Sequence, residues 1–311
     1  MIRRRLVSVV AALAAGVAGL GVATLQATPA ASAPVMQIGK AHAEFDPALD
    51  GSEPIFILVL GSDARPGTPV DRGLCDSIHI LGINPEMRRA TLVGIPRDSY
   101  VPLAGGGTNK INVACAQGGP DGMVATVEDL TGVTFDYYVI TGFGGLQKIF
   151  DGLGGLKIDV PYTFEGHEGT DFAEGPQTLT GPQTLEFSRT RKTLSHGDFD
   201  RSMNQGRVLQ AAFRQFRASF AKDPATLFMW LGIGFRNVAT DVPLDELLTL
   251  AFTANHIPPK RVTNAVAVGS VGSAGGMSIV NLTSPQQVFE DVAPDGVILP
   301  QDVPPESAPA G

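Results

Sequence analysis

Five cations crowd the stretch EFSRTRKTLSHGDFDRSMNQGR between Glu186 and Arg207: Arg189, Arg191, Lys192, Arg201 and Arg207. The 311-residue chain is otherwise acidic, with a formal net charge of −8, so this concentration is local. Arg189 and Arg191 alternate and would share one face of an extended segment. Arg201 and Gln205 stand four apart and share a helical face with Leu209. A buried cation must be paired. An anionic ligand would pair it, with arginine binding bidentately; so would an internal carboxylate, Asp198 or Asp200. Arg207 and Lys192 are expected to face water.

Further charged residues fall where buried strands should end. LGSDAR carries Asp63 and Arg65, CDSIHIL (75–81) puts Asp76 at the start of the next strand, and GIPRDSY carries Arg97 and Asp98. Ligands gather at the carboxyl ends of parallel strands in open α/β sheets. Asp63 and Arg97 therefore belong together if their strands are parallel, and Asp76 joins them if its strand runs the other way. Carboxylates among arginines suit Mg²⁺ (or Mn²⁺) bridging phosphate oxygens; the plainer alternative is that each Asp caps a turn and each Arg is solvated. Lys110 follows a Gly-rich stretch, GGGTNKINVA (105–114), and could reach a phosphate, although no Walker pattern is present. The five histidines form no ligand spacing, and no GxSxG elbow occurs. The acidic balance gives no nucleic-acid footprint.

The elements that must position these groups follow from pattern. IFILVLGS (55–62), IHILGI (78–83) and ATLVGIP (90–96) read as buried strands, DYYVITGF (136–143) and LKIDVP (156–161) as further strands, and RVTNAVAV (261–268) as a late one. Helices are expected over 120–132, 145–155, from 181, from about Arg201, over 243–256 and over 284–293. The helix from Arg201 carries a stripe of Val208, Leu209, Ala212, Phe213, Phe216 and Phe220. Tyr162 to Thr180 reads as a polar surface excursion. The alternation predicts one α/β domain over 54–293, with a central mixed sheet flanked by helices on both faces. A linker (34–53) precedes it and a disordered tail (294–311) follows.

Arg3, Arg4 and Arg5 precede an uncharged apolar run of 20 residues, Leu6 to Leu25. Residues 1–33 therefore read as a signal peptide or a membrane anchor. Either places the remainder outside the cytoplasm, anchored at the membrane or secreted to the wall. In that oxidising setting Cys75 and Cys115, the only cysteines, are expected to form a disulfide.

Six segments in order, LVLGSDAR, CDSIHILGINP, GIPRDSYVP, NKINVACAQGGP, DYYVITGFGG and SRTRKTLSHGDFDRSMNQGRVL, resemble the LytR-CpsA-Psr proteins over about residues 54–217. The resemblance implies a phosphotransferase that moves a glycopolymer from a polyprenyl-pyrophosphate carrier to a peptidoglycan hydroxyl, working at the membrane and not on nucleic acid. It implies metal-binding acids at Asp63 and Asp76, and catalytic roles for Arg97, Asp98, Arg189 and Arg191. Pyrophosphate contacts would come from Arg97, Lys110, Arg189, Arg191, Arg201 and Gln205. Asp198 matches the acid of the family's Gly-Asp step. Leu74 stands where the family often has arginine, which Arg65 or Arg72 could compensate; Asn204 is a milder departure. A non-catalytic polyprenyl-phosphate binder and a lipid pyrophosphatase are the alternatives.

Overall fold

The computed structural model describes residues 36–40, 53–65, 68–235, 238–240 and 244–304. Its centre is a seven-stranded sheet of β1 (Met36–Lys40), β2 (Ile55–Ser62), β3 (Cys75–Asn84), β4 (Arg89–Gly94), β5 (Tyr137–Gly142), β6 (Val238–Thr240) and β7 (Val262–Val266). The order across the sheet is β6-β1-β5-β2-β3-β4-β7. β2 runs parallel to β5 and antiparallel to β3. β3 is antiparallel to β4, and β4 is parallel to β7. β2 and β4 thus point the same way and β3 the other, as the placement of Asp63, Arg97 and Asp76 at one end requires.

β2 is apolar throughout because both of its faces are covered. Leu58 and Leu60 pack with Met123 and Val127 of helix α1 (Val113–Thr131). Ile55 and Ile57 face the other layer, where they meet Phe213 of the helix spanning Asp198–Lys222 and Leu247 and Leu250 of the helix spanning Leu244–His256. The remaining helices are α2 (Phe143–Gly152), α3 (Gly181–Arg189), α5 (Thr226–Phe235) and α7 (Gln287–Val292), so the two just named are α4 and α6. The described part is one mixed α/β unit.

Several expectations are revised. β1 lies inside the stretch read as a linker, paired with β5 and β6. The Tyr162–Thr180 excursion is folded: Phe164–Glu165 pairs with Asp171–Phe172, and Gly175–Leu179 pairs back on Leu156–Val160. Phe164 and Phe172 are buried against Phe187, a small aromatic core that the surrounding polar residues hid. α1 begins seven residues before the expected Pro120, across a break at Gly119, whose φ of 65° suits glycine. The expected tail is ordered as far as Pro304: Ile298 N–H donates to Thr91 Oγ1 (2.8 Å), and Thr263 Oγ1–H donates to Ile298 O (2.7 Å). Helix α5 and the hairpin of Gly269–Ala274 with Met277–Leu282 were not foreseen. Residues 1–33, the export segment, lie outside the described residues; among the latter, no helix is long and apolar enough to cross a membrane.

The disulfide is present. Cys75 joins Cys115 across 40 residues, with a Cα–Cα distance of 5.7 Å, and ties the start of β3 to the first turn of α1.

Candidate active site

The site starts from an irregularity in the β2–β3 pair. Gly61 lies opposite Ser77 and Ser62 opposite Cys75, so Asp76 is the extra residue of a β-bulge. Bulges re-aim side chains, and Asp76 turns to the cavity at the strand ends. Just beyond, Asp63 N–H donates to Leu74 O (2.9 Å), and Leu74 N–H donates to Asp63 Oδ1 (2.8 Å).

Past β4, Arg97 Nη1 donates to Asp76 Oδ1 at 2.5 Å. Its neighbour Asp98 has a side chain only 7% exposed and gathers cations from three segments. Lys110 Nζ approaches it at 3.1 Å, Arg191 Nη1 at 2.9 Å and Arg97 Nε at 3.9 Å. Arg97 Nε itself is buried without a hydrogen-bond acceptor.

α3 and α4 bring the opening motif to this point. Thr180 and Gln183 form a capping box that starts α3. Arg189 ends α3, Thr190 is extended, and Arg191 follows. The two arginines share a cavity through a helix end, not through the extended run that their alternation suggested. Arg189 lies over the Phe143 ring, 4.5 Å from its centroid, and its Nη1 is 3.4 Å from Glu168 Oε1. α4 then starts after Gly197, whose φ is 55°. Asp198 is its first residue, not its cap, and is paired with Arg201. Asp198 Oδ2 also accepts from Asp98 N–H (3.3 Å). Gln205 Nε2 donates to Asp76 O and to Ser188 O, both at 3.1 Å, and so joins β3, α3 and α4. A Cβ on Gly206 would collide with Asn264 of β7; glycine there lets α4 lie close on the sheet.

The result is a cavity of about 240 Å³ walled by Arg97, Arg189, Arg191 and Arg201, with Asp76, Gln205, Lys192 and His167. Asp98 and Lys110 stand behind the arginines and do not line it, nor does Asp63. Arg65 and Arg72 are exposed elsewhere and do not replace the arginine missing at Leu74. Arg207 is not a solvated residue: it is half-buried, its Nη1 on Asn204 Oδ1 at 2.5 Å, with Tyr162 as a further partner. Lys192 is exposed, as expected.

Electrostatics distinguish the arginines. Burial pulls Arg97 down, but Asp76, then Asp98 and Asp198, outweigh it and hold Arg97 above its ordinary value. Burial pulls Arg201 below its ordinary value; Asp198 and Asp76 oppose this, while Arg97 and Arg191 add to it. Arg201 is 6% exposed, and burial outweighs the Asp198 carboxylate beside it. An anion in the cavity would meet Arg201 directly, since Arg201 lines its wall.

An apolar groove of about 80 Å³ opens beside the cavity and shares Asp76, Arg189 and Gln205 with it. Val59 and Leu209 also line a second apolar hollow of about 150 Å³ between the sheet and helices α4 and α6, bounded by Phe213, Ala254 and Ile257. Polar and greasy spaces therefore adjoin. Among the described residues no group of three or more His, Cys, Asp or Glu side chains converges as a metal cage.

Sequence reading missed His167, Glu168 and Glu186. Glu186 is 5% exposed and folds the excursion over the site. It accepts from Glu168 N–H (2.7 Å), Thr170 N–H (3.1 Å) and the Thr170 hydroxyl. Burial works against its carboxylate, but those Thr170 and Glu168 hydrogen bonds prevail and hold it below its ordinary value. Phe164 and Phe172, two aromatic residues in an otherwise polar stretch, were the available signal that this segment packs.

Comparison with known proteins extends these findings. The sequence is 38% identical over 202 residues to a polyisoprenyl-teichoic acid–peptidoglycan teichoic acid transferase TagU from Bacillus mycoides, and 41% identical over 202 residues to a TagU from Bacillus cereus. Each match covers 64% of this chain and 64% of the relative's length. The fold superposes on TagV of B. subtilis with a TM-score of 0.66 and 28% identity, covering 78% of this chain and 95% of that one. It superposes on gbs0355 of Streptococcus agalactiae with a TM-score of 0.70 and 22% identity, covering 80% and 89%. The family profile itself matches residues 22–288, and the chain belongs to the LytR_cpsA_psr family.

Proposed function

We propose that this protein is an exported phosphotransferase that moves a phosphate-linked glycopolymer from a polyprenyl-pyrophosphate carrier to a hydroxyl of peptidoglycan. The observation that carries the reading is the convergence of four arginines on one cavity that shares Asp76, Arg189 and Gln205 with an apolar groove. The wall of that cavity has five cations, Lys192 included, against one carboxylate, Asp76. A lipid-borne diphosphate matches both halves: phosphates among the guanidinium groups, and the prenyl chain along Val59, Leu209 and Phe213. The relatives named for polyisoprenyl-linked teichoic acid and peptidoglycan support the same substrate class.

In the reaction an acceptor hydroxyl oxygen bonds to the phosphorus that bears the glycan. The bond from that phosphorus to the bridging oxygen breaks, polyprenyl monophosphate leaves with the electron pair, and the hydroxyl proton passes to a base or to solvent. Positioning and electrostatics do most of the work in such transfers. Arg189, Arg191 and Arg201 hold the diphosphate, and Arg97 stabilises charge on the leaving phosphate. Asp98 keeps Lys110 and Arg191 in place, since both of its oxygens are engaged by them. Gln205 fixes the bulge that presents Asp76. Asp76 faces the cavity and Asp63 lies just past β2 outside it; Asp76 would be the hard oxygen donor that holds Mg²⁺ (or Mn²⁺) with the phosphates, and Asp63 could join it only from outside the cavity wall. Such an ion would neutralise charge on the phosphate oxygens.

The test is to supply the purified chain with a prenyl-diphosphate-linked glycopolymer and peptidoglycan, and to follow both products. Glycan fixed to peptidoglycan together with released prenyl monophosphate is expected. Free glycan phosphate without attachment would make the protein a pyrophosphatase, and binding without turnover would make it a carrier protein.

A further inference from the structure

A further cavity, of about 550 Å³, shares Arg191 and Lys192 with the arginine cavity. That size suits a small-molecule site, for which about 300–1,000 Å³ is usual. Asp98, which does not line the arginine cavity, lines this one. One wall is a face of the hairpin. Val271 pairs with Val280, Gly269 with Leu282 and Ser273 with Ser278. Gly269, Val271, Ser278 and Val280 therefore share one face, and all four line the cavity. Val280 N–H donates to Asp98 O (2.8 Å), which fixes that face to the segment after β4. The other wall runs from Lys192 to Phe199 at the start of α4. It is held by Thr193 Oγ1–H to Glu165 O (2.6 Å) and by His196 N–H to Asp200 Oδ2 (2.8 Å). The site is thus built before any ligand arrives.

Its chemistry suits a neutral ligand rich in hydroxyls. Both of its carboxylates are already paired, Asp98 with Lys110 and Arg191, and Asp198 with Arg201. Besides Lys192, the wall offers exposed Ser195, His196 and Ser278 next to apolar Leu194, Phe199 and Val271. Val271 is 74% exposed. A sugar presents the matching pattern, hydroxyls at the ring edge and C–H groups on its faces.

We propose that this cavity receives the acceptor, a glycan of N-acetylated amino sugars, and presents its hydroxyl to phosphorus beside Arg191, a proposal that rests on the transferase reading. In-line displacement separates the attacking oxygen from the leaving one. The apolar groove shares Asp76, Arg189 and Gln205 with the arginine cavity, the further cavity shares Arg191 and Lys192, and groove and further cavity have no lining residue in common. Prenyl phosphate and incoming hydroxyl so have separate approaches. The acceptor oxygen bonds to phosphorus, the bridging oxygen leaves with the electron pair on prenyl monophosphate, and the hydroxyl proton passes to a base or to solvent.

The full chain, labelled at Leu and Val methyl groups, is titrated with farnesyl diphosphate and with a soluble peptidoglycan tetrasaccharide, and the methyl resonances are followed by NMR. The tetrasaccharide is expected to move Leu194 and Val271 of the further cavity, and farnesyl diphosphate to move Leu146 and Leu185 of the apolar groove. Ser278→Trp fills the cavity from an exposed position of the hairpin. It is expected to raise the KM for the tetrasaccharide by about tenfold or more, with farnesyl diphosphate affinity and melting temperature unchanged. A wild-type KM in that folded variant overturns the proposal. Shifts at Leu194 and Val271 that come only from a prenyl-diphosphate-linked sugar also overturn it, since the cavity would then hold the donor's glycan. Transfer to peptidoglycan with both methyl sets unmoved by the tetrasaccharide overturns the acceptor site and leaves the transferase reading standing. Moved Leu194 and Val271 without any transfer support the glycan site and overturn the transferase reading.

Discussion

Replacing Arg201 by Gln separates the fold's need for this arginine from the ligand's. The guanidinium is 6% exposed and paired with Asp198, itself 8% exposed. Arg201→Gln leaves the Asp198 carboxylate with the 3.3 Å contact to Asp98 N–H as its remaining strong donor. Removing one partner of a buried pair costs about 3–5 kcal/mol, whereas removing both is often close to neutral. The single variant should therefore lose about 3 kcal/mol in urea unfolding, and Asp198→Asn/Arg201→Gln should recover most of that. Binding behaves differently. A charge-assisted hydrogen bond is worth about 1.5–3 kcal/mol, so both variants should bind farnesyl diphosphate roughly 10- to 150-fold more weakly than wild type. Calorimetric titration reads the affinity and urea titration the stability. A double variant that is stable and binds with wild-type affinity would refute the assignment of Arg201 to the phosphates.

Four further outcomes are expected. Asp98→Asn should weaken diphosphate binding by about tenfold or more, because one oxygen that holds Lys110 or Arg191 becomes an amide donor; unchanged binding with abolished turnover would instead make Asp98 the proton acceptor. Leu74→Arg should change that affinity by less than about threefold, since Leu74 does not line the cavity. Alkylation without reductant should leave the mass unchanged, and reducing the 40-residue crosslink should cost about 4 kcal/mol of stability. His79 sets a pH limit. Burial pushes its imidazole down to about 4 from 6.5, while the Nε2–H bond to Ser202 O opposes this. The unfolded chain then takes up a proton that the folded chain refuses. Stability should fall as pH drops from 6.5 towards 4, by about 3 kcal/mol in all, and His79→Gln should flatten that slope.

Much of the site was legible in the sequence because its residues end unmistakable strands. Asp76 and Arg97 follow from apolar runs whose directions the sheet satisfies, and Arg189, Arg191, Arg201 and Gln205 from one cation-rich motif. Three kinds of information were not available. The bulge that frees Asp76 is a register shift, which no residue type announces. The partner of Arg201 was open between ligand and carboxylate; the fold supplies Asp198 and also sets the arginine in the cavity wall. The excursion over 162–180 looked solvated because its folding depends on Glu186, a single buried acid outside it. Likewise α5, uniformly apolar with two glycines, lacks the period by which an amphipathic helix is recognised.

Helix α4 carries Arg201 near one end and Phe220 near the other. At 1.5 Å per residue, those 19 steps amount to about 28 Å. The rod is rigid, so it holds the cation-lined cavity and the aromatic cluster of Phe216, Phe220 and Trp230 at that fixed separation.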